Sequence, residues 1–176
     1  IVQVNKKVPY VYGGAESFIH VSQVDHICEA DHDIPVLPNP PLTDVDRKIG
    51  AYIAERVPDG ACLQLGIGGV ANAVGELLVD KKDLGVHTEM FVDSMVMLAK
   101  KGVINCSKKN FHTGKITAGF GIGSKELYDF MDRNQLMETY PIWKITDPYV
   151  IGQNDNFVSI NSCLTVDITG QVGSEA

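Results

Sequence analysis

The sequence predicts an α/β fold, a mainly parallel sheet with helices on its faces. Three observations carry that expectation. From residue 43 onward, short apolar runs of strand length alternate with windows whose apolar residues recur at helical spacing, and strands joined through helices lie parallel. Glycine-rich turns, Gly66-Ile67-Gly68-Gly69 and Gly121-Ile122-Gly123-Ser124, lead from a strand into a helix. The 176 residues are 44% hydrophobic and 21% charged, which supplies material for one sizeable core.

Ile1-Val2-Gln3-Val4 opens the chain as a strand, and residues 18–24 read as a second. Pro35, Pro38, Pro40 and Pro41 make an extended connector, because proline fixes φ and donates no backbone hydrogen bond. Thr43 is placed to cap a helix, with Asp46 three residues on as an approximate capping box and Val45, Ile49, Tyr52, Ile53 and Val57 along one face. Asp59-Gly60 ends it. Residues 61–65 read as a strand, 70–79 as a helix with Ala71, Val74, Leu77 and Leu78 inward, and 80–83 as a solvated turn. A strand follows at 84–88, and then a helix at 91–101 that Gly102 stops. The unit repeats with a strand at 115–120 and a helix at 125–132 capped by Ser124. Residues 139–169 hold three or more short strands, notably 157–160 and 164–168.

With 15 basic and 22 acidic residues the net charge is -7, which argues against a nucleic-acid or membrane-surface partner. A polyanionic ligand must then be held by local N–H groups and a few lysines. Cys28, Cys62, Cys106 and Cys163 are widely spaced, and Cys62 and Cys163 lie in apolar runs, so buried free thiols in a reducing compartment are expected. No apolar run is long enough to span a bilayer and no signal peptide is visible, which points to the cytoplasm. A chain that opens on Ile1 and stops at Ala176 just after a turn reads as a fragment or a processed product.

The chemistry concentrates in Gln64-Leu65-Gly66-Ile67-Gly68-Gly69-Val70-Ala71-Asn72 and in His87-Thr88-Glu89. A strand that turns through glycines into a helix aims unpaired N–H groups at an anion or a developing oxyanion. Gly66-x-Gly68-x-x-Ala71 also satisfies the dinucleotide fingerprint with alanine third, and Glu89 lies near the place of a ribose-binding acid. On an acyl-transfer reading, Glu89 attacks an activated acyl group as an already ionised carboxylate, and the loop N–H groups steady the oxyanion. The plainest reading has the glycines serve close strand–helix packing and Glu89 cap the helix near Phe91. His87, two residues before Glu89, shares its side of a strand and can orient the carboxylate or touch substrate. His20, His26, Cys28 and His32 fit no ordinary metal-ligand spacing. Gly119-x-Gly121-x-Gly123-Ser124-Lys125 is a phosphate cradle or a turn plus cap, and the pairs Lys100-Lys101 and Lys108-Lys109 read as solvated faces.

Several linked motifs go further: Gln64 to Gly69; Leu84-Gly85-Val86-His87-Thr88-Glu89-Met90-Phe91; Gly123-Ser124 followed by Leu127-Tyr128-Asp129-Phe130; and Ile160-Asn161-Ser162 leading to Val166-Asp167 and Gly170-Gln171-Val172. In this order they resemble the acetyl-CoA hydrolase/transferase family of class I CoA-transferases, particularly the 4-hydroxybutyrate and butyrate:acetate CoA-transferases. The resemblance implies a fragment of a two-domain enzyme more than twice this length, homo-oligomeric as a dimer. Residues 1–41 would close the N-terminal half and its connector, and 42–176 would belong to the catalytic domain, incomplete at its C-terminus. It implies that Glu89 is the nucleophile forming a glutamyl-CoA thioester and that Gln64, Leu65, Gly66, Ile67, Gly68 and Gly69 contact CoA and the oxyanion. Leu164 would add a CoA contact, with His87 and Thr146 on the acyl side. Thr146 stands where relatives often have Asn, and Thr165 where they tend to have an acidic residue. Coenzyme A enters as the substrate acyl-CoA, alongside a short-chain carboxylate, with no permanently bound cofactor. Hydrolysis of acetyl-CoA on the same scaffold and a non-catalytic dinucleotide-binding module are the alternatives.

Overall fold

The apolar runs that alternate with helices line up as one parallel sheet in the computed structural model, which describes residues 1–174. Strands β1 (Val2–Val4) and β2 (Ile27–Glu29) pair in parallel with each other, apart from that sheet. Helix α1 (Asp44–Ala54) then precedes the alternating units β3 (Cys62–Leu65), α2 (Gly69–Leu77), β4 (Gly85–Phe91), α3 (Asp93–Lys100), β5 (Ile116–Gly121), α4 (Lys125–Met131) and β6 (Met137–Thr139). Two single-turn helices, α5 (Ile142–Ile145) and α6 (Pro148–Ile151), lead to β7 (Phe157–Ile160), and β8 (Thr165–Val166) with β9 (Val172–Gly173) forms an antiparallel hairpin. The sheet runs β6-β5-β4-β3-β7. Chain order reverses direction between β3 and β7, where α/β sheets open a crevice at the carboxyl ends of their strands.

Burial explains the central strands. Leu63, Leu65, Val86 and Phe91 are fully buried with Met95 and Leu98 of α3, and Phe91 stacks on Phe130 of α4 with ring centroids 5.8 Å apart. Thr43 caps α1 through a reciprocal capping box: its hydroxyl accepts from the Asp46 N–H at 3.1 Å, and Asp46 accepts from the Thr43 N–H at 2.9 Å. Ser124 does double duty. Its Oγ caps α4 by accepting from the Leu127 N–H and donates to Asp93 Oδ1 at 2.6 Å, tying together the starts of α4 and α3. Ser124→Ala should therefore cost about 1 kcal/mol or slightly more in chemical denaturation, as for a lost cap; an unchanged midpoint would show that the tie is idle. No helix among the described residues is long and apolar enough to cross a membrane.

Several expectations are corrected. Residues 18–24 are not a strand; the segment forms 3-10 turns at Ala15–Ser17 and Val21–Gln23, the second capped by the His20 ring. On α1, Val45, Ile49 and Tyr52 are exposed, and the helix instead buries Gly50 and Ala54. Small residues win there because α1 crosses α2 closely: a Cβ on Gly50 would lie 2.9 Å from the Ala73 Cβ. Leu77 is 43% exposed for the related reason that α2 turns its Ala71, Val74 and Gly75 side inward. Helix α3 begins at Asp93, so Glu89 caps nothing, and β4 runs through it to Phe91. Cys163 is exposed, because the segment after β7 leaves the sheet, and Lys109 is buried at 4% exposure. Of the residues 42–176 assigned to a catalytic domain, the last two lie outside the described residues.

Candidate active site

Strand β4 is buried at every position but one. Glu89 is exposed in the middle of Gly85–Phe91, while His87, Thr88, Met90 and Phe91 around it are buried. The pairing of the sheet supplies the reason. Strand β3 pairs with β4 only at Cys62↔Gly85 and Leu63↔Val86, then continues along β7 to Leu65↔Ile160, while β4 follows β5 to Phe91↔Gly121. Beyond Leu63 and Val86 the registered pairing ends, and Glu89 borders the space between the two strands.

Two clefts meet at that carboxylate. One of about 220 Å³ is lined by Gln64, His87, Thr88, Glu89, Ile145, Thr146, Ile151, Phe157, Ser159 and Asn161. The other, of about 330 Å³, is lined by Gln64, Leu65, Gly66, Ile67, Glu89, Met90, Phe120, Asn161 and Ser162. Glu89 and Gln64 stand in the wall of both, with Asn161. His87 and Thr146 line the first with Glu89, as alternation on β4 leads one to expect for His87. Leu164 lines neither cleft. It stands on the exposed β8–β9 hairpin, its N–H donating to the Gly173 carbonyl at 2.9 Å.

The glycine turn is built from three different constraints. A Cβ on Gly66 would come 2.7 Å from Asn161 Oδ1; Gly68 sits at φ +116°, a conformation that L side chains rarely adopt; and a Cβ on Gly69 would meet the Asp46 carboxylate at 2.6 Å. The Gly66 N–H is already committed, donating to the Ile160 carbonyl at 2.8 Å. Alternation along a parallel strand turns the Leu65 N–H the other way, toward β4, past the last registered pair. The first N–H groups of α2 remain without helical acceptors, as at any helix start. Asp46 beside Gly69 adds negative charge at that end.

Ser159 and Asn161 escaped the sequence reading as site residues, although their two-residue spacing at the end of β7 puts both on the face of Gln64. Gln64 Oε1 accepts from Ser159 Oγ at 2.5 Å and from Asn161 Nδ2 at 2.8 Å, and Gln64 Nε2 donates to Asn161 Oδ1 at 3.0 Å. This closed amide pair fixes one wall of both clefts. His87 forms another wall, with Nε2 2.8 Å from the Ile145 carbonyl and Nδ1 2.9 Å from Thr117 Oγ1. Burial holds its imidazole below the ordinary histidine value, against the raising effect of the Ile145 hydrogen bond, and the nearby Lys109 and His112 charges lower it further.

The chain resembles known proteins in sequence and in fold. The profile of the acetyl-CoA hydrolase/transferase C-terminal domain matches residues 123–176. Over its whole length the chain is 48% identical to succinyl-CoA:cyclohexane-1-carboxylate CoA transferase of Geobacter metallireducens and 49% identical to 4-hydroxybutyrate coenzyme A transferase of Clostridium kluyveri. The chain is thus similar to CoA transferases over its whole length and to the acetyl-CoA hydrolase/transferase family's C-terminal domain over residues 123–176. It spans about 40% of the length of those two relatives. Among solved structures of the fold, RipA from Yersinia pestis superposes with a TM-score of 0.93 at 37% identity, covering 99% of this chain and 40% of that one. A 4-hydroxybutyrate CoA-transferase from Porphyromonas gingivalis superposes with a TM-score of 0.90 at 46% identity, covering 97% of this chain and 43% of its own. The α/β sheet with its flanking helices superposes on a segment of each of those longer chains.

Proposed function

We propose that the protein to which this chain belongs is a CoA-transferase, moving CoA between a short-chain acyl-CoA and a carboxylate with Glu89 as the nucleophile. One observation carries the reading: Glu89 is the exposed carboxylate of a buried strand and borders both clefts, one for each arm of a thioester. A Glu89 oxygen attacks the thioester carbonyl carbon, the C–S bond breaks, and an acyl-glutamyl anhydride and CoA thiolate result. The thiolate attacks the glutamyl carbonyl of the anhydride, releasing the carboxylate and leaving glutamyl-CoA. An acceptor carboxylate then runs the two steps backward. No step moves a proton, which suits a histidine neighbour whose ring nitrogens already face Thr117 and Ile145.

Charge develops on the carbonyl oxygen during each attack, and a preorganised N–H donor there is worth roughly 2.7–4 kcal/mol. The Leu65 N–H and those of Ile67 and Gly68 are the donors we assign, since the Gly66 N–H is spent. The larger cleft, running along the glycine turn, takes the CoA arm, and the smaller cleft with His87 and Thr146 takes the acyl group. Free thiols at Cys28, Cys62, Cys106 and Cys163 suit the reducing cytoplasm.

Incubating the whole protein with acyl-CoA and no acceptor should attach CoA through a thioester to the peptide containing Glu89, read by mass spectrometry after digestion at low pH. CoA should also raise its melting temperature by mass action, and NAD should not. An adduct elsewhere would remove Glu89 from its role; stabilisation by NAD alone would restore the dinucleotide reading.

A further inference from the structure

Lys109 is the one lysine of the Lys108-Lys109 pair that the fold takes inside. It enters from the loop before β5, its stem crossing the start of β4 so closely that a Cβ on Gly85 would lie 2.5 Å from its Cγ. Its ammonium ends among three oxygens: the Lys115 carbonyl at 2.7 Å, the Val86 carbonyl at 2.8 Å and Thr117 Oγ1 at 3.0 Å. Three protons meet three acceptors, so the hydroxyl of Thr117 receives from Lys109 and is left with one proton to give. The His87 Nδ1 lies 2.9 Å away and the Val86 carbonyl 3.4 Å, so the proton goes to the imidazole. On the far side of the ring Nε2 faces only the carbonyl of Ile145, which can accept and not donate. The directions agree along the whole chain.

We propose that Lys109 and Thr117 are positioning residues that lock His87 as the neutral Nε2–H tautomer, so that the ring clamps the Ile145 carbonyl and sets Thr146 in the acyl cleft. His87 and Thr117 are register partners on β4 and β5, and α5, which carries Ile145, packs on both strands. The relay therefore joins the sheet to the turn before α6. Burial of the imidazole and the positive charge of Lys109 both oppose a second proton on the ring, which keeps Nδ1 an acceptor. The consequence for acyl recognition rests on the CoA-transferase reading; the tautomer does not.

The test has two arms. In the unmodified whole protein labelled with nitrogen-15 in histidine, the His87 ring should show a protonated Nε2 and a pyridine-like Nδ1 at neutral pH, its signals assigned by their loss in His87→Gln. A protonated Nδ1, alone or with Nε2, overturns the proposal even if transfer is demonstrated. In the second arm, Thr117→Val should raise KM for the acceptor carboxylate by about tenfold, the worth of one hydrogen bond, while the Kd of free CoA holds. Thr117→Ser should restore both the KM and the His87 spectrum. A folded Val variant with an ordinary carboxylate KM, or a Ser variant that fails to restore it, overturns the positioning role. Failure of the CoA-transferase reading is seen separately, as the absence of any CoA adduct on the parent protein.

Discussion

Glu89→Gln is expected to lower CoA transfer by about three orders of magnitude or more, equivalent to about 4 kcal/mol of transition-state stabilisation, with CoA affinity nearly unchanged. Glutamine keeps the shape and the exposure of the side chain on β4, and the fold around it should hold because the buried neighbours Thr88 and Met90 are untouched. What is lost is an ionised oxygen able to attack a thioester without a base. An amide oxygen at the same place is a poor nucleophile, and among the described residues no other carboxylate lines either cleft to take over. The measurement is acyl-CoA:carboxylate exchange alongside CoA binding by calorimetry. A variant retaining a tenth of the parental rate would show that Glu89 does not carry the reaction, and a parallel collapse of CoA affinity would assign it to binding.

Phe91→Ala should destabilise the protein by about 3–5 kcal/mol, the usual cost of emptying an aromatic site in a core. Phe91 is fully buried at the end of β4, pairs in register with Gly121, and stacks on Phe130 with the rings 23° apart. That ring joins the last sheet residue next to the site to helix α4, so truncation leaves a cavity that the paired strands cannot close. Urea denaturation of the parent and variant proteins, with unchanged m-values, measures the loss. A cost under about 1 kcal/mol would mean that the core relaxes around the missing ring, contrary to the packing described here.

Three apolar side chains of α1 are exposed. Val45, Ile49 and Tyr52 follow helical spacing as faithfully as any core stripe, yet they point outward. Periodicity identifies an apolar face without saying which neighbour covers it, and α1 buries Gly50, set against Ala73 of α2, and Ala54, whose smallness carries no periodic signal. The same limit applied to Lys109. Two adjacent lysines read as solvated because charge prefers water, and only the three oxygens gathered by β4, β5 and the preceding loop make burial of one of them tolerable.

The alternation of strands and helices, the capping residues Thr43 and Ser124, and the glycine turn at 66–69 were determined by the sequence itself. Each rests on local chemistry: side-chain period, a hydroxyl within reach of a free N–H, a backbone φ that only glycine adopts readily. Glu89 was also legible as a candidate, through its motif and its shared side with His87. The tertiary structure decided what surrounds it. That β4 continues past the registered pairing of β3, that Ser159 and Asn161 close on Gln64 across 95 and 97 positions, and that Lys109 reaches His87 through Thr117 all depend on strands distant in sequence becoming neighbours. Such pairings are selected by the whole core at once, because a strand can bury its apolar face against any partner of matching register, and no local spacing names which partner it takes.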